Sequence, residues 1–133
     1  MKKLDEKVLV AGQIAPDAMP ALAAAGVRMI VNNRPDHEEP GQPLSAEIEA
    51  AARAAGLDYR HIPVAGGLSP EQIEAMAEAL GAGEGKLLAF CKSGTRSAWL
   101  WAFARAGQGE DADMLIGKAA AAGYDLEPLR SYL

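Results

Sequence analysis

Short apolar runs alternate along this chain with alanine-rich segments of helical spacing, and glycine or proline marks most of the changeovers. That alternation constrains the fold more than any other feature, because strands separated by helices pair in parallel and need helices to cover the sheet. Lys7 to Gly12 reads as a first strand and Asp17 to Ala25 as a helix stopped by Gly26. Val27 to Asn32 is a second strand, followed by a loop from Asn33 to Pro43 rich in proline, glycine and charge. Ser45 caps a helix to Ala55 that Gly56 closes, and Leu57 to Val64 makes a third strand. Ser69-Pro70-Glu71-Gln72 opens the next helix, which runs to about Leu80, with capping residue, proline and acid where each helps. After Gly81 to Gly85 come a buried strand over Leu87 to Phe90, a helix from Ser97 to Ala106, another from Glu110 to Ala122, and a short helical piece over Glu127 to Tyr132. The expectation is an α/β fold with a mostly parallel central sheet covered by helices.

With 133 residues, half of them apolar, the chain can bury one substantial core, so a single domain over residues 1–133 is expected. A net charge of −5, with lysine and arginine scattered among acids, offers no basic stripe for nucleic acid. No apolar run approaches membrane-spanning length, and Met1 to Glu6 lacks the apolar segment of a signal peptide, which gives the expectation of a cytoplasmic protein. One cysteine excludes an internal disulfide and a thiolate metal cluster, and no metal or organic cofactor is implied. Nothing in the sequence fixes an oligomeric state.

That cysteine, Cys91, stands in Phe90-Cys91-Lys92-Ser93-Gly94-Thr95-Arg96-Ser97, at a strand-to-helix turn. In a parallel sheet this is the carboxyl end of a strand, where ligands bind. Ser93 and Gly94 let successive backbone N–H groups converge, and the helix N-terminus adds unpaired amides and partial positive charge, so Lys92 to Ser97, Thr95 among them, form an anion cup. Arg96 adds a permanently charged fork, Lys92 adds positive field, and the Ser97 hydroxyl is a candidate extra donor. These features should lower the Cys91 pKa and make it a nucleophile. The loop after the second strand supplies candidate walls: Arg34 as a second anion-binding charge, and Asp36, His37, Glu38 or Glu39 to move protons, with Asp36 foremost. His61, within a strand, reads as structural.

Two families meet in these residues. Val8 to Ile73, with Val27 to Asn32 and His61-Ile62-Pro63-Val64, resembles the dual-specificity cysteine phosphatase scaffold, whereas Cys91 to Ser97 is similar to the active loop of rhodanese sulfurtransferases. The combination, with Asn32 to Asp36, Glu39-Pro40-Gly41-Gln42-Pro43 and Ala122-Gly123-Tyr124-Asp125-Leu126, resembles the bacterial beta-lactamase-hydrolase-like family, whose members are described both as phosphatase-like and as sulfur transferases. Cysteine phosphatases place five residues between nucleophile and arginine; here only Lys92, Ser93, Gly94 and Thr95 intervene. Each residue removed shortens a loop by up to ~3.5 Å, which shrinks a cup otherwise sized for phosphate. Phe90 stands where that family has a histidine, and Ala65-Gly66-Gly67 leaves no counterpart to its aspartate acid, a loss that typically costs ~10²–10⁴-fold. The resemblance therefore implies a sulfurtransferase working through a Cys91 persulfide, taking sulfur from a small anionic sulfur compound or a persulfide carrier. The alternatives are a phosphatase acting through phosphocysteine, with Asp36 or Glu38 as acid, and an idle anion-binding module.

Overall fold

The computed structural model describes residues 1–133 and contains one five-stranded sheet of order β1-β2-β5-β3-β4. The strands are β1 (Lys2–Lys3), β2 (Val8–Ala11), β3 (Val27–Asn32), β4 (Asp58–His61) and β5 (Lys86–Phe90). β2, β5, β3 and β4 run parallel; only β1, which the sequence reading did not anticipate, pairs antiparallel, with β2. Two residues are too few to show a period. The helices are α1 (Met19–Ala24), α2 (Ser45–Ala54), α3 (Pro70–Gly81), α4 (Thr95–Gly107) and α5 (Ala112–Ala121), with 3-10 turns at Pro16–Ala18 and Glu127–Tyr132.

β5 lies at the centre because its side chains are apolar on both faces. Leu87 and Ala89 pack with Met76, Leu80, Leu100, Trp101 and Leu115, and Leu88 and Phe90 pack with Met19, Leu22, Ile48 and Tyr59. The α3, α4 and α5 side and the α1 and α2 side thus form two cores divided by the sheet, the arrangement a parallel sheet requires. β3 follows the same alternation, with a register shift between Val27 and Met29. No helix is long and apolar enough to cross a membrane.

Several element ends fall where their hydrogen-bond partners put them. α3 starts as expected: Ser69 Oγ accepts Gln72 N–H at 3.2 Å while Gln72 Oε1 accepts Ser69 N–H at 2.8 Å. α2 differs. Ser45 is its first helical residue rather than its cap; its N–H donates to Asp36 Oδ1 at 2.7 Å and its hydroxyl meets Tyr59 Oη at 2.6 Å. The third strand is shorter than expected, yet Ile62 and Val64 N–H still donate to Asn32 and Asn33 carbonyls at 2.8 and 3.0 Å. α4 begins two residues earlier than expected, so Arg96 and Ser97 lie in its first turn.

Asp5 ties the edge of the sheet to α4. Its Oδ1 accepts Lys7 and Val8 N–H at 2.9 and 2.8 Å, and its Oδ2 accepts Trp101 Nε1 at 2.7 Å and Arg105 Nε at 3.1 Å. Burial works to raise this carboxyl, but the donors, Trp101 first, and the Arg105 charge outweigh it and hold the pKa below the usual carboxylate value. A folded-state pKa below the unfolded one stabilises the protein above the unfolded value, about 3.9, and that contribution is lost as pH falls through the folded one. Asp5→Ala should leave the enclosed Trp101 N–H without a partner and cost roughly 2–4 kcal/mol in urea unfolding at neutral pH, with a smaller difference from wild type in acid.

Candidate active site

The site grows from three strand ends. β5 stops at Phe90, whose carbonyl accepts Asn33 N–H at 2.8 Å from beyond β3, while Cys91 N–H donates to Ala11 O at 3.4 Å and Gln13 N–H to Lys92 O at 3.3 Å on the β2 side. Both neighbouring chains thereby hold the first residues of the loop. Gly12 makes the β2 approach possible, since a Cβ there would lie 2.9 Å from Lys92 O.

The loop then turns through Gly94, at φ +95°, a conformation that favours glycine. A side chain would not fit there either: a Cβ would lie 2.1 Å from Tyr124 Oη. The turn aims Gly94 N–H at Cys91 Sγ, 3.0 Å away, and the backbone N–H groups of Ser97, Ser93 and Arg96 surround the sulfur closely enough to favour its anion. Cys91 has no exposed surface. Burial pushes its thiol up, but the N–H groups prevail and Cys91 titrates below the ordinary thiol value. Its residual charge is felt by Arg96 and by Tyr124, whose hydroxyl is pushed up by burial and then by that charge.

The remaining expected site residues are drawn into a network around this sulfur. Arg96 Nη1 and Nη2 donate to Glu38 Oε2 and Oε1 at 2.7 and 2.9 Å, and Nη1 also donates to Val64 O at 2.8 Å. Glu38 is held down to about 2 by Arg96 above all, against burial, with Arg34 helping. Arg34 lies in the site but is enclosed, its side chain 4% exposed; Nε donates to Glu38 Oε1 and Nη1 to Gln13 Oε1, both at 2.9 Å. Lys92 is mostly exposed and its ammonium pairs with Glu39. Ser93 Oγ and Thr95 Oγ1 bond each other at 3.0 Å.

Three expectations need correction. The Ser97 hydroxyl does not face the sulfur: it donates to Asn33 Oδ1 at 2.7 Å, and Asn33 Nδ2 in turn donates to Ile62 O at 3.0 Å, so Ser97 serves the cup through its N–H alone. Asp36 does not reach the site; its carboxylate is bound to the first N–H of α2 because Ser45 leaves that group unpaired. The acid that does reach it is Glu38, and it is ionised, so it has no proton to give near neutrality. His61 is structural as expected, its Nε2 lying 3.0 Å from Arg34 O. Sequence reasoning missed Gln13 and Tyr124 as site residues and placed Asn33 in a wall of the site without giving it a role. Tyr124 Oη donates to Ser93 O at 3.0 Å and braces the loop from outside. Its only sequence signal was its place in a stretch shared with relatives.

A mostly parallel sheet with a buried cysteine at the end of its central strand, a glycine turn and an arginine in the first turn of the next helix is the arrangement of a phosphatase-like α/β fold. Residues 1–108 match the family model described as beta-lactamase hydrolase-like protein, phosphatase-like domain. The chain belongs to that family. The beta-lactamase hydrolase-like protein of Agrobacterium fabrum is 41% identical over 105 residues, which is 78% of this chain. The match spans 24% of that relative, so this chain corresponds to about a quarter of its length. The crystal structure of a candidate phosphatase from Neisseria meningitidis superposes with a TM-score of 0.85 at 35% identity, covering 98% of this chain and 94% of that one. A structure of Pseudomonas aeruginosa TpbA in complex with phosphotyrosine shares the fold, with a TM-score of 0.66 at 16% identity over 96% of this chain and 78% of that one. These likenesses support the phosphatase-like scaffold; they say nothing of sulfur transfer.

Gly94→Ala is expected to lose the 3.0 Å bond to Sγ and to force Tyr124 aside. Its thiolate absorbance near 240 nm should titrate at higher pH than in wild type, and its unfolding free energy should fall by at least ~1 kcal/mol.

Proposed function

We propose that this chain is a cysteine-dependent transferase that carries a sulfane sulfur on Cys91. The supporting observation is the tightness of the loop: Gly94 N–H bonds Sγ itself at 3.0 Å, and only four residues stand between Cys91 and Arg96. A phosphoryl group needs seats for three equatorial oxygens, whereas one added sulfur needs only the same amides a bond length further out. The thiolate attacks the outer sulfur of a thiosulfate-type donor. The Sγ–S bond forms, the donor S–S bond breaks, and its electron pair leaves with sulfite. An acceptor thiolate then attacks the outer sulfur of Cys91–S–S⁻, takes it as a new persulfide and restores the Cys91 thiolate. Neither step requires a protonated carboxyl, which agrees with a site whose one inward carboxyl, Glu38, is held down to about 2.

A second reading, phosphoester hydrolysis through phosphocysteine, is favoured by the scaffold shared with the Neisseria candidate phosphatase and by the phosphotyrosine held by the Pseudomonas relative. With Asp36 bound to α2 and Glu38 ionised while it pairs with Arg96, the site presents no ready proton donor, which under that reading favours esters with good leaving groups, such as aryl phosphates. The two readings part experimentally. Incubated with thiosulfate, the wild type should gain the mass of one sulfur atom and Cys91→Ser none. Cys91-dependent turnover of an aryl phosphate with no sulfur adduct would establish the second reading, and neither signal would leave an anion-binding module.

Arg96→Lys should reduce adduct formation by at least ~10²-fold in rapid-quench mass spectrometry, because an ammonium cannot make the paired contact of a guanidinium.

A further inference from the structure

The guanidinium beside Cys91 is already occupied. Arg96 gives Glu38 two near-parallel bonds, Nη1 to Oε2 at 2.7 Å and Nη2 to Oε1 at 2.9 Å, the contact it would make with the oxygens of an oxyanion. Glu38 Oε1 also takes Arg34 Nε at 2.9 Å, so one carboxylate serves two arginines. It does not satisfy both. Arg34 has a side chain only 4% exposed, its Nη1 is bound to Gln13, and its Nη2 is buried with no hydrogen-bond partner, Glu39 Oε2 standing 3.6 Å away. An enclosed guanidinium donor without an acceptor is uncommon, because its desolvation goes uncompensated. It points to an acceptor that a carboxylate of two oxygens does not replace.

The segment carrying Glu38 is built as a unit. Gln42 Oε1 accepts Glu38 and Glu39 N–H at 3.2 and 3.3 Å, and Gln42 Nε2 donates to Pro35 O at 2.8 Å, closing residues 35–42 on themselves. Two of its three acids meet the two basic side chains of the active loop, Glu38 on Arg96 and Glu39 on Lys92. Cys91, beneath the loop, has no exposed surface.

We propose that Glu38 is a built-in competitor: it fills an oxyanion seat made jointly by Arg34 and Arg96, and a donor bearing a sulfonate or comparable tetrahedral oxyanion enters by displacing it. The proposal rests on Cys91 acting as a group-transfer nucleophile, and it names the donor class as one that carries oxygens for the two guanidinium groups. A simple alkyl persulfide has none. Glu38 thereby sets a threshold: while it is seated, only the fraction of molecules with the seat vacant binds donor, and apparent affinity falls by that fraction.

Sulfate is the probe, since it fills such a seat without transferring sulfur or phosphoryl, and its binding is measured by calorimetry at constant ionic strength. Glu38→Gln keeps the shape and removes the charge, and it should bind sulfate at least ~10-fold more tightly than wild type. Adding Arg34→Gln to that variant should abolish the gain. Unchanged or weaker binding by Glu38→Gln, or no binding by either protein, overturns the proposal and leaves Glu38 as a support for Arg96; a gain that survives loss of Arg34 overturns the joint seat. Should Glu38→Gln fail to fold, the wild type answers: with ¹³C-labelled glutamate, saturating sulfate should shift the Glu38 carboxyl resonance, and bound sulfate that leaves it in place refutes displacement. Because sulfate forms no adduct, these outcomes are separate from the thiosulfate mass experiment, and either idea can fail alone.

Discussion

The Cys91 sulfur has no contact with water, and main-chain N–H groups with the guanidinium of Arg96 favour its anion against the cost of burial. The cost of placing charge there falls on the backbone, which must turn within a seven-residue stretch so that Gly94 N–H reaches Sγ and the N–H groups of Ser93, Arg96 and Ser97 lie around it. Such convergence needs a left-handed residue at Gly94 and the free donors of a helix start immediately after it. It also needs the loop anchored at its entrance, which is why the carbonyls of Phe90 and Lys92 are bound by N–H groups following β3 and β2.

From that constraint the placement of β5 follows. A central strand, apolar on both faces, is held by a neighbour on each side, and it delivers Cys91 between two flanking chain segments rather than at an edge. The Ser97–Asn33–Ile62 relay then couples the first turn of α4 to the ends of β3 and β4. The cup is thus tied to the neighbouring strand ends by hydrogen bonds that do not involve Cys91. Chemistry that needs its donors fixed before charge develops is served by such a frame.

The order of strands and helices was legible in the sequence because two-residue and helical periods are local and glycine punctuates them. Cys91 and Arg96 were legible for the same reason: six consecutive residues carry the signal. What escaped depends on distance along the chain. Asp36 was read as an acid for the site, but its partner is an N–H nine residues later, exposed by a helix that begins on Ser45 instead of before it. Which of Asp36, His37, Glu38 and Glu39 faces Arg96 is decided by the loop closed through Gln42, and no local pattern announces that closure. Gln13 and Tyr124 come from other elements altogether. The phosphatase-like scaffold expected from the strands holds.

Tyr124 lies outside residues 1–108, the part matched by the family model, yet its hydroxyl holds the Ser93 carbonyl and its ring packs where any side chain at Gly94 would go. The candidate site is therefore braced from beyond the stretch that the family model matches. A protein trimmed at the end of α4 would retain every strand and the nucleophile, and would still lack the strut that keeps its loop from sagging outward.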